Sequence, residues 1–246
     1  MTLLEIALLI GAGVVAGALN TLAGGGSVLT VPLLVLLGLP GTIANGTNRV
    51  GILIQSLVAA WRFRAEGVSE LRSAAPLLLP IGLGSLIGAA WVSQITDENF
   101  EKLFAAIMLL LFIPMLRGAG SSPPTARLRW SPLTSAAVFF AIGLYGGAIQ
   151  AGVSLVLLFA LTRAGFDWVR ASAAKVVIAA ALALVAVPVF VWQQRVAWWP
   201  AALLSIGFSL GAAAGARIAV RGGERVIRAV VVAAIVVLAG HLFGLY

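Results

Sequence analysis

The sequence predicts an all-α polytopic membrane protein. It is built from two inverted-topology repeats of about five hydrophobic segments each, with short broken or re-entrant helices at the repeat interface. Three observations predict this. Of 246 residues, 61% are hydrophobic and only 10% charged, where soluble domains carry about 25% charged residues. Charge-free runs recur at 6–48, 76–96, 103–116, 131–162, 176–194 and 196–216, and about 18 apolar residues are enough to read as a span. The third observation is internal similarity. A Gly/Ser/Pro/Arg-rich stretch, 117–132, separates an N-terminal repeat, 1–116, from a C-terminal one, 133–246. A shift of 126 then places Gly17 on Gly143, Gly26 on Gly152, Leu29 on Leu155, Arg49 on Lys175 and Ile52 on Ile178. One further residue of shift places Gly84 and Gly88 on Gly211 and Gly215.

The segments of the first half fall at 3–20, 27–39, 43–61, 74–93 and 100–116, and those of the second at 133–150, 152–163, 168–191, 200–218 and 224–243. The second segment of each half is short. Twelve helical residues span about 18 Å against a hydrocarbon core of about 30 Å, so it either re-enters or relies on extended chain to complete a crossing. Charge arbitrates. With every segment crossing, Arg62, Arg64, Arg72, Arg117, Arg127, Arg129, Arg163, Arg170, Arg217, Arg221, Arg225 and Arg228 share one face, leaving Lys102 and Arg195 on the other. The positive-inside rule favours that arrangement and makes 117–132 cytoplasmic. Five crossings per half is an odd number, so the halves are inverted, as in many secondary transporters. All seven tryptophans lie near segment ends, where interfacial aromatics belong.

The composition also excludes. No cysteine is present, which removes disulfides and thiolate metal sites. Net charge of +8 reads as membrane topology rather than nucleic-acid binding. Glu5 stands where a signal peptide would carry its basic region. No catalytic set, cofactor motif or metal cluster emerges. "GAGVVAG" (11–17) lacks the strand–turn–helix context and the acid of a dinucleotide site. Like Gly84/Gly88 and Gly207/Gly211/Gly215, it reads as small-residue helix packing.

Polar islands carry the functional expectation. "NTLAGGGSVLTVP" (20–32) interrupts apolar chain with Asn20, Thr21, Gly24, Gly25, Gly26 and Ser27. Glycine is a poor helix former, so a helix breaks here and a short one restarts, with Ser27 as its N-cap and Pro32 near its first turn. Helix N-termini attract anions, and irregular backbone at membrane depth must line a cavity or be buried in protein. A tight turn without a ligand is the rival. "ANGTNRV" (44–50) adds Asn45, Thr47, Asn48 and Arg49, and "RASAAKV" (170–176) adds Ser172 and Lys175. Intramembrane cations face a cavity or partner unless they snorkel to a headgroup. "AIGLYGGAIQAGVSL" (141–155) supplies glycines that loosen its helix, together with Gln150, Gly152 and Ser154, and Gln150 falls on Gly24. Every carboxylate lies at a segment end or in a loop. A proton or sodium pathway usually has a buried acid, so an anion site is the better expectation.

The stretch "GALNTLAGGGSVLTVPLLVLLGLPGTIANGTNRVG" (17–51) resembles the first-repeat motif of the sulfite exporter TauE/SafE family. A Gly-Gly pair followed by a basic residue at Lys175 is similar to that family's second-repeat pattern, although "RASAAK" lacks its Asn/Thr content. The resemblance covers nearly the whole chain. It implies transport, mostly outward, of a sulfur-containing anion such as sulfite, sulfoacetate or a related sulfonate across the bacterial inner membrane. The partners expected are a small anion and the lipid bilayer, with a homodimer left open. Another small organic or inorganic anion, or a non-transporting scaffold or biogenesis subunit, is the alternative.

Overall fold

The computed structural model describes residues 1–118 and 130–242, with side chains described except at 108–118, 228 and 231–242. The linker expected at 117–132 therefore lies mostly outside the described residues. Within them the chain is a set of helices: α1 Leu3–Leu22, α2 Gly26–Leu36, α3 Gly41–Ala65, α4 Leu71–Val92, α5 Asp97–Gly118, α6 Pro132–Ala148, α7 Val153–Arg163, α8 Trp168–Trp192 and α9 Trp198–Leu242. The backbone at Gly223 (φ 61, ψ −159) is non-helical, so α9 is two helical stretches meeting at a kink, at the boundary expected between the last two segments. Only α1, α4, α8 and the Trp198–Ile227 portion of α9 are long and apolar enough to cross a membrane, among the described residues. Helix α3 is also long, but carries Asn45, Asn48, Arg49, Arg62 and Arg64.

Helix starts follow from local chemistry. Thr2 and Glu5 form a reciprocal capping box at α1. Ser131 caps α6, with Pro132 in its first turn. Asp167 accepts the Val169 and Arg170 amides at the start of α8.

Two ends of the molecule are distinguished by their contacts. At one, Arg170 bonds Glu70, while Glu66 gathers Arg62, Arg217 and Arg221. At the other, Thr42 donates its amide and hydroxyl to Asp97 (2.9 and 2.6 Å) and the Ala197 amide donates to Thr47 (2.9 Å). Helices α3 and α8 therefore run in opposite directions between a basic end and its opposite. Arg62, Arg170, Arg217 and Arg221 share an end, as the charge argument expects.

Packing is exchanged between the halves. Helix α1 lies on α9 and α4 lies on α6, each pair seamed by glycines where backbones touch. A Cβ on Gly17 would collide with the Phe208 backbone, and one on Gly143 with the Ile81 backbone. Gly84 meets the Phe140 carbonyl and Gly211 the Val14 carbonyl; Gly88 meets Leu144 and Gly215 meets Ala18. Every one of these contacts has its counterpart at offsets of 126 on the first helix and 127 on the fourth. Gly11 is the exception in its motif, with open space where a side chain would go.

The expected register changes at one place. Helices α2 and α7, and α3 and α8, start and end 127 residues apart (Gly26 to Val153, Ala65 to Trp192), while the caps ending α1 and α6 are 126 apart (Ala23 to Ile149). Backbone bonds agree: Leu39 to Leu34 matches Phe166 to Leu161, and Ala44 to Pro40 matches Ala171 to Asp167. The second break holds one extra residue, 149–152 against 23–25. Lys175 consequently occupies the position of Asn48, and Arg49 that of Val176, about 100° apart on a helix of 3.6 residues per turn. The expected one-to-one match of Arg49 with Lys175 is corrected by this insertion.

Candidate functional site

The first break is closed by its own polar groups. The Ala23 and Gly24 amides both donate to the Leu19 carbonyl (2.8 and 2.7 Å). Gly24 (φ 117) and Gly25 (φ 90) hold left-handed backbone, which only glycine adopts without strain. Gly25, not Ser27, is the N-cap of α2. Asn20 does the capping from the previous helix: its Oδ1 accepts the Gly26 amide at 2.6 Å, and its Nδ2 donates to Gln55 at 3.2 Å. The glycine amides are therefore less bare than the sequence implies. Ser27 Oγ instead accepts from Asn48 Nδ2 (3.1 Å), and Asn48 Oδ1 accepts from Thr30 (2.7 Å). Pro32 sits in the interior of α2 rather than near its first turn.

The second break differs. Helix α6 continues through Gly146 and Gly147 to Ala148. These glycines do not loosen it but admit Leu182, Val153 and the Ser85 backbone. The chain turns at Gln150, which adopts φ 65 although it is not glycine, and Gly152 (φ 75) is the N-cap of α7. The Tyr145 hydroxyl donates to the Ala151 carbonyl and ties the turn down. The two breaks touch: a Cβ on Gly24 would lie 2.5 Å from the Leu155 amide nitrogen and 2.9 Å from Ser154 Cβ. The N-termini of α2 and α7, both electropositive, thus start side by side inside the protein.

Two cations stand beside them. Arg49 and Lys175 are both fully buried, so neither snorkels. Arg49 Nη1 donates to the Gly146 carbonyl (2.9 Å) and to Gln150 Oε1 (3.3 Å), and its guanidinium carbon lies 4.7 Å from the Phe190 ring centre. Its Nε and Nη2 have no hydrogen-bond partner, nor does Asn45 Oδ1. Asn45 Nδ2 donates to the Ala148 carbonyl (2.9 Å). From the other half, Lys175 Nζ donates to the Thr21 carbonyl (3.0 Å) and Ser172 Oγ to the Leu22 carbonyl (3.4 Å). Each cation therefore reaches the last turn of the opposite half's broken helix, where carbonyls lack helical partners and the dipole end is negative. Among the described residues no ion pair involves Arg49 or Lys175.

Most sequence-predicted residues converge. Asn20, Gly24, Gly25, Gly26, Ser27 and Asn48 gather at the first break, while Asn45, Arg49, Gln150, Gly152 and Ser154 gather at the second. Ser172 and Lys175 bond the carbonyls of Leu22 and Thr21 at the end of α1. Thr21 contributes its carbonyl, its hydroxyl being turned back to Gly17. Thr47 is not part of the cluster, because it accepts the Ala197 amide at the end away from Glu70. Sequence reasoning overlooked Thr30, Gln55, Ser56, Ser85 and Phe190, all buried. Gln55 and Ser56 form a polar pair within an apolar run, and that was their signal. An open cleft of about 570 Å³ lined by Arg217, Ile218, Arg221 and Gly222 lies at the basic end, apart from this cluster.

Known proteins resemble the chain along its length. A curated "Probable membrane transporter protein" of Haemophilus influenzae is 28% identical over 232 residues, covering 92% of this chain and 90% of its own. "Probable membrane transporter protein ORF9" of a Sinorhizobium species is 27% identical, covering 97% and 92%. "Probable membrane transporter protein YfcA" of Escherichia coli K12 is 25% identical, covering 92% and 85%. No solved structure matches. The family model for the sulfite exporter TauE/SafE matches residues 9–242, a span that takes in both breaks and both buried cations. With that match, the broken helices and exchanged halves are those of a membrane protein that belongs to the sulfite exporter TauE/SafE family.

Proposed function

We propose that this protein exports a sulfur-containing anion, such as sulfite, sulfoacetate or a related sulfonate, across the bacterial inner membrane, and that it is not an enzyme. The observation that carries the reading is the pair of buried, carboxylate-free cations at the meeting of two helix N-termini. A buried charge without a partner costs several kcal/mol, and one bonded only to neutral carbonyls stays net positive. A dehydrated anion is the complement that such a place would take. Lys175, Arg49, Ser27, Asn48, Asn20 and Gln150 are the proposed contacts, with Thr21, Gly24–Gly26, Asn45, Gly152, Ser154 and Ser172 shaping the site.

The halves are proposed to be inverted repeats that rock against each other for alternating access. The reciprocal glycine contacts support a pseudo-twofold relation. The basic end, with the 117–132 linker, is assigned to the cytoplasm by the positive-inside rule. An inside-negative potential then drives an anion outward by about 2.3 kcal/mol per charge per 100 mV, so no coupling acid is required. Another small anion is the alternative substrate.

A scaffold role has one observation in its favour, since both cations also stay the ends of α1 and α6. The readings separate in proteoliposomes loaded with sulfite, thiosulfate or sulfoacetate at set potentials. Transport predicts efflux for wild type and at least a tenfold loss in an Arg49→Ala, Lys175→Ala double variant reconstituted to the same folded amount. Equal flux from the two proteins removes the site from the mechanism.

A further inference from the structure

We infer that Arg49 is a specificity residue that binds two oxygens carried by one atom of the substrate, through a free side-on edge made of Nε and Nη2. The inference rests on the transport reading and narrows it. It assigns the substrate an oxyanion group, sulfonate, sulfite or carboxylate, and excludes monatomic anions of the same charge.

The guanidinium has three sides, and two are occupied. Its Nη1 end is anchored to the final turn of α6 through the Gly146 carbonyl and Gln150 Oε1. Its central carbon lies over the Phe190 ring, 4.7 Å from the centre, a cation–π contact that occupies one side of the group. The remaining pair of nitrogens, Nε and Nη2, is buried and unbonded. That edge presents two parallel N–H vectors, a spacing that fits two oxygens on one atom and that a point-charge ammonium does not reproduce.

The same chain shows what this edge takes. Arg170 uses Nε and Nη2 to hold Oε1 and Oε2 of Glu70, at 2.6 and 3.1 Å. Arg49 has the same two nitrogens free, and no carboxylate among the described residues pairs with it. Asn45, one turn earlier on α3, leaves its Oδ1 unbonded as well, and that oxygen can accept from a protonated or hydroxylated substrate oxygen. Gln150 then acts as the anchor that keeps Nη1 turned away, leaving the fork for the ligand.

The test is thermal stabilisation of the detergent-purified full chain by sodium salts at equal ionic strength. Methanesulfonate, sulfite and acetate are compared with bromide, for wild type, Arg49→Lys and Phe190→Leu. The expected result is that wild type is stabilised by the three oxyanions at millimolar concentration and at least fivefold less effectively by bromide. Arg49→Lys keeps the charge and should bring oxyanion and bromide responses within twofold, and Phe190→Leu should narrow the ratio as that contact is lost. Bromide matching methanesulfonate in wild type overturns the inference, as does an unchanged ratio in a folded Arg49→Lys. If that variant does not fold, the wild-type ratio and Phe190→Leu still decide. Binding selectivity of this kind without flux would defeat the transport reading while leaving the fork intact; flux without selectivity would do the reverse.

Discussion

Gln150 holds a left-handed backbone that costs a non-glycine residue of order 1–3 kcal/mol, in the position that the first half gives to Gly24. That cost is retained where the side chain reaches Arg49. Gln150→Gly should therefore keep or slightly raise the melting temperature, because strain is relieved, while reducing efflux several-fold because the arginine loses an anchor. Parallel thermal scans and flux assays check this; a variant with lower stability and undiminished flux would contradict it. Gly24→Ala should behave oppositely. It combines positive φ with a Cβ 2.5 Å from the Leu155 amide, so the loss should exceed 2 kcal/mol or so and appear as low folded yield. At this scale the sequence disclosed Arg49, Lys175, Asn20 and the glycines, because a charge, an amide or a glycine triplet is conspicuous against apolar chain. Thr30 and Ser85 were not legible, since a lone hydroxyl is common in a membrane helix and commonly bonds backbone. Phe190 could not be found at all, because its role exists only where α8 brings it over Arg49. Thr47 was legible as polar yet serves the α8–α9 connection instead.

Among the elements, glycine seams decide which helices touch. Gly17→Val drives its Cβ into the Phe208 backbone, whereas the Cβ of Gly11→Val meets nothing within 4 Å. Rigid backbone cannot yield as a side-chain tip can, so the first should destabilise by about 3 kcal/mol or more and the second by less than about 1 kcal/mol, the cost of a β-branched residue in a helix being small. Melting of the two variants in one detergent measures the contrast, and equal effects would remove close packing as the reason for the motif. The ten expected segments appear among the described residues, the last two being the stretches of α9 on either side of non-helical Gly223. Their existence was legible because apolar runs and breakers are unambiguous. The single-residue insertion at 149–152 was not, because Ala, Val, Leu and Gly align acceptably at either offset; only caps and backbone bonds reveal that α3 and α8 match at 127.

Across the whole molecule, the halves are clasped at the basic end by the two-point bond from Arg170 to Glu70, with Glu66 facing Arg62, Arg217 and Arg221. Arg170 hydrogen bonding, more than offsetting the opposing effect of burial, holds the Glu70 carboxyl below its ordinary value. A depressed carboxylate stabilises the fold above its unfolded pKa of about 4.3 and loses that contribution as pH falls through the folded value. Wild type should thus lose melting temperature below about pH 4.3 more steeply than Glu70→Gln. The variant should start a few degrees lower at neutral pH and converge with wild type in acid; parallel curves would show that the clasp contributes nothing. The opposite running of α3 and α8 was legible from arginine placement. The exchange of α1 and α6 between halves was not, since apolar helices carry no partner label until their glycine seams are seen in contact. The molecule as a whole is predicted to receive the anion at its buried cations, not at its basic surface. An experimental structure determined in saturating sulfite tests it most directly. The predicted result is density for an oxyanion within hydrogen-bond distance of Arg49 Nε and Nη2, beside the starts of α2 and α7. Density only in the cleft between Arg217 and Arg221, with the Arg49 edge still unbonded, would contradict it.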